Sequence, residues 1–334
     1  MDKKKTLQSI FWALVAVVLV WLCFRSIDWA QFWAALKLCR WFWVVVAMLA
    51  GVANFWLHGV RWWMLLEPID PSIRKVSVFN AYNIGNASNF AIPHACEVVR
   101  LGYVMKHSGL DGEGKRILSA DKVLGTMVVE RLWDFICVTL IVATLVIVRW
   151  NDFGTYLMNN LSVSGSDVNL MAVFGVLILL VVVLLWLAWY FRERFAFCGK
   201  VWEFAQGIFK GLASCLHMEK AWLFFFYTLL IWALYWLTSL SILWAVQDIE
   251  VFSSLTVMDG LLLTMAGTLS SVIPVPGGFG AYHGVVGGVL LGLWDIPMSM
   301  GMIYATLNHE SHALVIALLG LWSYLQESFF DRKK

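Results

Sequence analysis

Charged residues are scarce in this chain of 334 residues. Only 14% are Asp, Glu, Lys or Arg, whereas 61% are hydrophobic. A soluble domain has no way to bury that much apolar surface, so the composition excludes a soluble globular protein and indicates that lipid is the solvent. The net charge of +2 is close to zero and says nothing about partners by itself. We therefore predict an all-α polytopic membrane protein, with no nucleic acid among its partners.

Cysteine pairs and nucleotide-binding loops are also missing. The six cysteines are scattered without a Cys-x-x-Cys pair, which argues against a metal cluster or a disulfide framework. Cys96 is the only one near a candidate site, and a small packing residue is the better interpretation of it. The sequence contains no GxxxxGK[ST] loop, which argues against a pump driven by ATP. No cofactor is expected.

Six apolar runs are long enough to cross a bilayer, which takes about 20 residues. The runs are Leu7–Phe24, Trp41–Leu66, Val123–Val148, Val168–Phe191, Ala221–Val246 and Met300–Phe329. The first run is too long for a signal peptide and lacks a small-residue cleavage site, so we expect it to be a retained span.

Two further hydrophobic stretches, about 76–106 and 256–293, are interrupted in the same way. In each, a Gly and several small polar residues precede an Ile-Pro step. We predict that each stretch is a re-entrant helical hairpin, because non-helical backbone at membrane depth is tolerated only inside protein or beside a wet cavity. Matched interruptions in two halves of a chain are typical of the binding site of a transporter. The residues expected to form the turns are Pro93, Pro274, Pro276, Gly277, Gly278 and Gly280.

The basic residues set the expected sidedness. With a cytoplasmic amino terminus, the outer segments hold at most four basic residues, and the inner segments hold the others apart from Arg61, Arg100 and Arg131, which lie in the spans and the inner hairpin. The outer four are Arg25, Lys37, Arg40 and Arg149. This is the expected positive-inside bias, and a full span at either hairpin would destroy it. We predict six spans and two hairpins, with both termini cytoplasmic. Residues 1–150 and 151–334 then form two inverted repeats, with an inner hairpin in the first and an outer hairpin in the second.

The inner hairpin carries the first group of polar candidates. Asn83 and Asn86 share a helix face with Asn89 close by, and Glu97 and Arg100 are three residues apart on the helix that resumes after Pro93. The free N–H groups at the start of that helix favour an anion. The functional hypothesis is an anion or lipid-headgroup site with Arg100 as the countercharge. The alternative is a neutralising Glu97–Arg100 pair near the interface.

The third span carries the second group, Glu130, Arg131 and Asp134. Three charges within five residues of a spanning helix require partners. One hypothesis is that Arg131 and Arg61 line the same cavity as the inner hairpin. The other is an internal salt bridge that locks the span to the hairpin.

The outer hairpin and the last span carry the third group: Ser271, His283, His309, Glu310 and His312. His309 and His312 are three residues apart, but no third ligand is evident nearby, so we expect no metal. A polar lining or a protonation switch is favoured, with plain helix–helix hydrogen bonding as the alternative. The glycines at 280, 284, 288 and 292 predict a close-packed helix face.

These residues resemble the membrane domain of the lysylphosphatidylglycerol synthases, the flippase domain of the multiple peptide resistance factor. The resemblance covers nearly the whole chain. It rests on the Asn/Gly-rich segment before Pro93 with Glu97 and Arg100, on the Glu-Arg-x-x-Asp motif of the third span, and on Ile273-Pro-Val-Pro-Gly-Gly-Phe-Gly280. We expect a stand-alone member without the soluble synthase domain.

The resemblance implies a lipid transporter that moves a phospholipid, aminoacylated in some relatives, between the leaflets of a bacterial cytoplasmic membrane. Two alternatives remain open: a flippase for a polyprenyl-phosphate carrier lipid, and a membrane-embedded enzyme that modifies lipid. The expected substrate is a membrane lipid. A homodimer and a separate lipid-synthesising enzyme are left open as partners.

Overall fold

The computed structural model describes residues 29–149 and 218–331, together with positions 14, 18 and 21, residues 189–195 and scattered other positions between 183 and 216. Two predicted spans, Leu7–Phe24 and Val168–Phe191, lie outside the continuously described residues. Within the described residues the structure is helical, and the one β-type contact is an isolated antiparallel bridge between Leu110 and Arg116.

The helices of the described ranges follow one another along the chain. They are α1 Trp29–Lys37, α2 Trp41–Leu66, α3 Lys75–Ser88, α4 Ala95–Lys106, α5 Ala120–Val148, α6 Ala221–Val246, α7 Val257–Ser270, α8 Ala281–Trp294 and α9 Met298–Asp331. Two short 3₁₀ turns, Glu250–Phe252 and Pro276–Gly278, precede α7 and α8.

Helices α2, α5 and α6 are long and apolar enough to cross a membrane. They coincide with three of the predicted runs, which confirms a helical membrane protein. The last predicted run is also one continuous helix, α9, of 34 residues. Helix α1 was not predicted: it lies between the first two runs and carries Phe32 and Ala35 into the core.

Both interrupted stretches are helix–break–helix hairpins. The first consists of α3 and α4, and the second of α7 and α8. Proline has no N–H and cannot continue the helical ladder, so Pro93 and Pro274 coincide with the breaks. After Pro93 the chain turns through His94, whose φ is 59°. The second turn uses Gly277 and Gly278, with φ of 60° and 76°, a region that glycine adopts without steric cost.

The chain divides into two compact units. The first comprises Met1–Val128 and Leu223–Lys334, and the second comprises Val129–Trp222. Both hairpins and helices α2, α6 and α9 belong to the first unit. The boundary falls within α5, so the charged residues of α5 after position 128 belong to the second unit.

Within the first unit, the hairpins begin near opposite ends of α2. At the start of α2, the Arg40 N–H donates to the Ala245 carbonyl at 2.8 Å, and the Arg40 guanidinium pairs with Asp248. Helix α6 therefore ends there, and the chain leads on to α7. At the other end of α2, the Trp63 Nε1–H donates to the Ile73 carbonyl at 3.1 Å, just before α3 begins.

Glycines allow close approach of helices in the first unit. A Cβ added at Gly320 of α9 would lie 2.5 Å from the Ala87 Cβ of α3. A Cβ added at Gly301 of α9 would lie 3.3 Å from the Gly287 Cα of α8. The predicted close-packed face is wrong at Gly288, where an added Cβ meets nothing within 4 Å. The tight contact is made one position earlier because Gly287 is the residue that faces α9.

Candidate functional site

The tips of the two hairpins touch. The Gly277 N–H donates to the Asn89 carbonyl at 2.9 Å, and the rings of Phe90 and Phe279 lie 6.1 Å apart between centroids. A Cβ at Gly277 would lie 2.7 Å from Phe90 Cδ1. Glycine is therefore required at Gly277 both by its backbone angle and by the partner hairpin. The predicted turn residues of the second hairpin are thus part of a contact with the first.

The small polar side chains of the tips bond to backbone close in sequence. The Asn89 Oδ1 accepts from the Cys96 N–H at 3.0 Å, which satisfies one of the open donors at the start of α4. The Asn86 Nδ2 donates to the Tyr82 carbonyl at 2.8 Å. The Ser271 hydroxyl donates to the Thr268 carbonyl at 2.6 Å. In this conformation these three side chains stabilise the hairpins, and their predicted contact with substrate stays a prediction.

Arg100 of α4 lies between aromatic rings. Its guanidinium carbon is 3.9 Å from the centroid of Trp62 and 4.9 Å from that of Tyr82. Tyr82 in turn stacks on His58 of α2, with centroids 5.1 Å apart and planes 11° from parallel. We call Trp62, Tyr82, Arg100 and His58 the arginine–aromatic stack. It joins α2, α3 and α4.

The arginine–aromatic stack depends on close packing of the first hairpin. Arg100 is fully buried, and a Cβ at Gly85 would lie 2.7 Å from the Arg100 Cγ. Only glycine at position 85 therefore leaves room for the Arg100 side chain between α3 and α4. Removing a cation from water costs several kcal/mol. A desolvated cation–π contact with a ring face offsets about 2 kcal/mol of this cost. Arginine suits this position because its planar guanidinium stacks on ring faces.

Arg61 is the second fully buried arginine of the first unit. Its Nη1–H donates to the Thr228 hydroxyl at 3.3 Å, and its guanidinium lies 5.9 Å from the ring centroid of Phe224. Both partners are on α6. Helix α2 therefore presents Arg61 to α6 and the neighbouring Trp62 to Arg100 of the first hairpin.

Glu97 occupies the first turn of α4 and is partly buried. A carboxylate is favoured there because the unpaired N–H groups of a helix start carry partial positive charge. Glu130, Arg131 and Asp134 lie on the part of α5 that belongs to the second unit. That Arg131 and Arg61 line one cavity therefore stays a prediction.

A second polar group lies where the second hairpin contacts α9. The His309 Nε2 is 2.9 Å from the Gly277 carbonyl oxygen, and the His309 Nδ1 is 3.1 Å from Glu310 Oε1. The His283 Nε2, from the first turn of α8, is 3.6 Å from the same Glu310 oxygen. We call His283, His309 and Glu310 the histidine–glutamate cluster. His283 is buried, whereas the Glu310 side chain is 44% exposed.

The structure pairs the histidines differently from the sequence. His309 was considered together with His312, but the His312 ring packs on Phe55 of α2 with centroids 5.4 Å apart. His309 instead lies 5.1 Å from His283 between ring centroids. Residues three apart on a helix point about 60° away from each other, which is enough to send them to different neighbouring helices.

Sequence reasoning named Asn83 but missed its contact with α9 and the other polar residues that dock the first hairpin there. The Glu327 carboxylate of α9 accepts from the Asn80 Nδ2 at 2.9 Å and lies 3.0 Å from the His107 Nε2. The Asn83 Nδ2 donates to the Ser323 hydroxyl at 3.0 Å. The signal available in the sequence was the helical spacing of these polar residues. Asn80 and Asn83 share one face of α3, and Ser323 and Glu327 share one face of α9.

Comparison with known proteins gives one match. The family described as the lysylphosphatidylglycerol synthase TM region matches residues 9–320. No curated protein and no solved structure gave a match. The matched region includes both hairpins, the arginine–aromatic stack and the histidine–glutamate cluster. With nearly its whole length matched, the chain belongs to the family of lysylphosphatidylglycerol synthase TM regions, membrane proteins connected with lipid.

Proposed function

We propose that this protein is a lipid flippase, which moves a phospholipid between the leaflets of the membrane. The observation that supports it most directly is the contact between the two hairpin tips, Gly277 N–H to the Asn89 carbonyl. This contact supports the proposal, because two re-entrant hairpins that enter the membrane from opposite sides would meet at their tips near the midplane. A site there is reached from either side by moving one hairpin.

The physical task is to carry a charged headgroup across about 30 Å of hydrocarbon. Full desolvation of an ion costs on the order of 20 kcal/mol on an ideal estimate. Two buried arginines supply part of the compensation: Arg100 of the first hairpin and Arg61 of α2 carry planar donors that suit phosphate oxygens. The acyl chains remain in lipid throughout.

The stack of Arg100 between Trp62 and Tyr82 supplies the chemistry of the proposed site. In the present conformation the guanidinium is covered by rings of α2 and α3. Movement of the first hairpin relative to α2 uncovers it to a lipid phosphate. When the hairpin returns, the Arg100 guanidinium packs again on the rings of Trp62 and Tyr82. This contact replaces the contact with the lipid phosphate and favours release of the lipid.

The test is transport of a fluorescently labelled phospholipid in vesicles that contain the purified protein. We expect Arg100→Gln to lower the rate by about 10- to 100-fold, because a charge-assisted hydrogen bond contributes about 1.5–3 kcal/mol. Lys115→Gln is the matched control: it removes one positive charge from an exposed loop and should transport at the wild-type rate. Unchanged transport in Arg100→Gln that elutes as a folded protein would falsify the assignment.

The same vesicles separate the alternatives. Mass spectrometry of the lipids after incubation distinguishes translocation, which leaves every lipid unchanged, from a lipid-modifying enzyme, which leaves a new mass. Replacing the labelled phospholipid with a labelled polyprenyl phosphate tests the carrier-lipid alternative. Transport of the polyprenyl phosphate alone would reassign the substrate class.

A further inference from the structure

We propose that the histidine–glutamate cluster binds one divalent transition-metal ion of the zinc class. His283, His309 and Glu310 each offer one ligand atom, and the three atoms lie within 4.8 Å of one another. Two histidines and one glutamate form a known set of protein ligands for Zn²⁺. This site was not predicted from the sequence, because His283 lies on α8 of the second hairpin whereas His309 and Glu310 lie on α9.

The distances between the ligand atoms fit a common metal ion. Bonds of about 2.0–2.1 Å in a tetrahedral site put neighbouring ligand atoms about 3.4 Å apart. The His309 Nδ1 is 3.1 Å from Glu310 Oε1, and the His283 Nε2 is 3.6 Å from that oxygen. The two values lie on either side of the tetrahedral distance, and the third pair of ligand atoms lies within 4.8 Å.

The hydrogen bond of His309 to the hairpin tip sets the required tautomer. A carbonyl oxygen only accepts, so the His309 Nε2 carries the hydrogen that it donates to the Gly277 oxygen at 2.9 Å. A neutral His309 then presents the lone pair of Nδ1 to the Glu310 carboxylate. Two acceptors 3.1 Å apart repel each other unless a cation, either a proton or a metal ion, lies between them. A metal ion supplies that charge, and a backbone carbonyl is an ordinary outer partner of a metal-bound histidine.

The residues around the histidine–glutamate cluster are suited to an ion that is partly exposed to solvent. The rings of Phe279 and Tyr282 lie 5.0 Å and 5.2 Å from the His309 ring and limit its rotation. The half-exposed Glu310 leaves a route for the ion to enter. Three protein ligands leave a fourth position for water or for a phosphate oxygen. Bound metal would join the start of α8 to α9 and, through His309, hold the Gly277 turn.

The experiment measures zinc on the purified full chain, independently of transport. The protein in detergent is treated with chelator, loaded with Zn²⁺, desalted and assayed for metal by mass spectrometry. We expect about one bound equivalent per chain in the wild type. Glu310→Gln and His283→Ala should each weaken binding by at least about 10- to 100-fold, the loss typical even of an outer partner. His94→Asn, which removes an exposed histidine at a left-handed position that Asn tolerates, should bind as the wild type does.

Cobalt binding gives a second readout that does not depend on variants. Co²⁺ in a four-coordinate nitrogen and oxygen site has intense visible bands, whereas six-coordinate Co²⁺ on a surface has weak ones. Intense bands that disappear when one equivalent of Zn²⁺ is added support the site. Weak bands, no zinc above the background, or full zinc retention in either ligand variant would overturn it, and a proton shared by His309 and Glu310 would then be the remaining explanation. None of these outcomes bears on the flippase proposal.

Discussion

Asp70 is a single loop residue that holds the two ends of the first hairpin together. Asp70 is fully buried in the loop between α2 and α3. Its carboxylate accepts from the Ser72 N–H and hydroxyl at 3.0 and 2.5 Å, and from the Ser108 hydroxyl and the Gly109 N–H at 2.8 Å each. Asp70 therefore joins the loop before the first hairpin to the loop after it.

The ionisation of Asp70 makes a prediction about pH. Burial raises the pKa of Asp70, but the hydrogen bonds from Ser72, Ser108 and Gly109 outweigh it and hold the pKa below its ordinary value of 3.8. A lowered folded-state pKa means that the stabilisation is complete above the unfolded pKa and is lost as the pH falls through the folded pKa. Asp70→Asn should lower the free energy of unfolding by about 2 kcal/mol at neutral pH, since it breaks a buried network.

Thermal unfolding in detergent between pH 7 and pH 3 measures both effects. The difference between wild type and Asp70→Asn should begin to shrink below about pH 4, where the carboxylate of the unfolded chain becomes protonated, and should continue to shrink as the pH approaches the lower pKa of the folded state. Asp111→Asn is the control, because Asp111 accepts N–H bonds from Glu113 and Lys115 in an exposed turn. A pH-independent difference for Asp70→Asn would contradict the role of its charge.

At the scale of elements, docking of the first hairpin on α9 depends on one close approach. Helices α3 and α9 are in contact where Gly320 faces Ala87. The added methyl of Gly320→Ala would lie 2.5 Å from the Ala87 Cβ, so the helices must separate. We expect a loss of about 1–3 kcal/mol of stability, the usual cost of overpacking.

A second substitution tests whether this contact is the cause. Removing the opposing methyl by Ala87→Gly costs about 1 kcal/mol by itself, but in the double variant it should restore most of the loss from Gly320→Ala. The control is Gly288→Ala, which meets no atom within 4 Å and should leave stability unchanged or slightly raised. Unfolding temperatures of the four proteins give the coupling energy. Additive effects would show that the helices adjust elsewhere.

At the scale of the whole molecule, each of two contacts joins a pair of segments that the charge bias assigns to the same side of the membrane. The Arg40–Asp248 pair links two segments predicted to be outside. Asp70 and Ser108 link two loops predicted to be inside. These contacts agree with the predicted sidedness, since a salt bridge or a buried carboxylate network is not made across a bilayer.

Cysteine labelling tests the sidedness. In a background with the six native cysteines replaced by alanine, Glu250→Cys and Glu113→Cys add one exposed thiol each. A membrane-impermeant maleimide should label Glu250→Cys in intact cells and Glu113→Cys only after permeabilisation. Labelling of both from the same side would exclude the proposed topology of six spans and two hairpins.

The parts of the fold that depend on local sequence, namely apolar length and proline position, could be predicted. Apolar length predicted α2, α5, α6 and α9, and the two prolines predicted the breaks at Pro93 and Pro274. Helix α1 was missed because it has only nine residues, which is too short to span a bilayer or to be stable without tertiary packing. The candidate site was only partly predictable. Arg100 and His309 were recognised as ionisable residues in apolar stretches, but Trp62 and Tyr82, which hold Arg100, are ordinary aromatic residues in sequence.

The sequence by itself determined the solvent, the helices and the points at which they break. Those properties follow from composition and from proline and glycine chemistry within a few residues of each position. Only the tertiary structure decided the neighbours: Gly277 with Asn89, Arg100 between Trp62 and Tyr82, and His283 with His309 and Glu310. The physical reason is that helical periodicity sets which residues share a face, whereas the packing of distant helices sets what that face contacts.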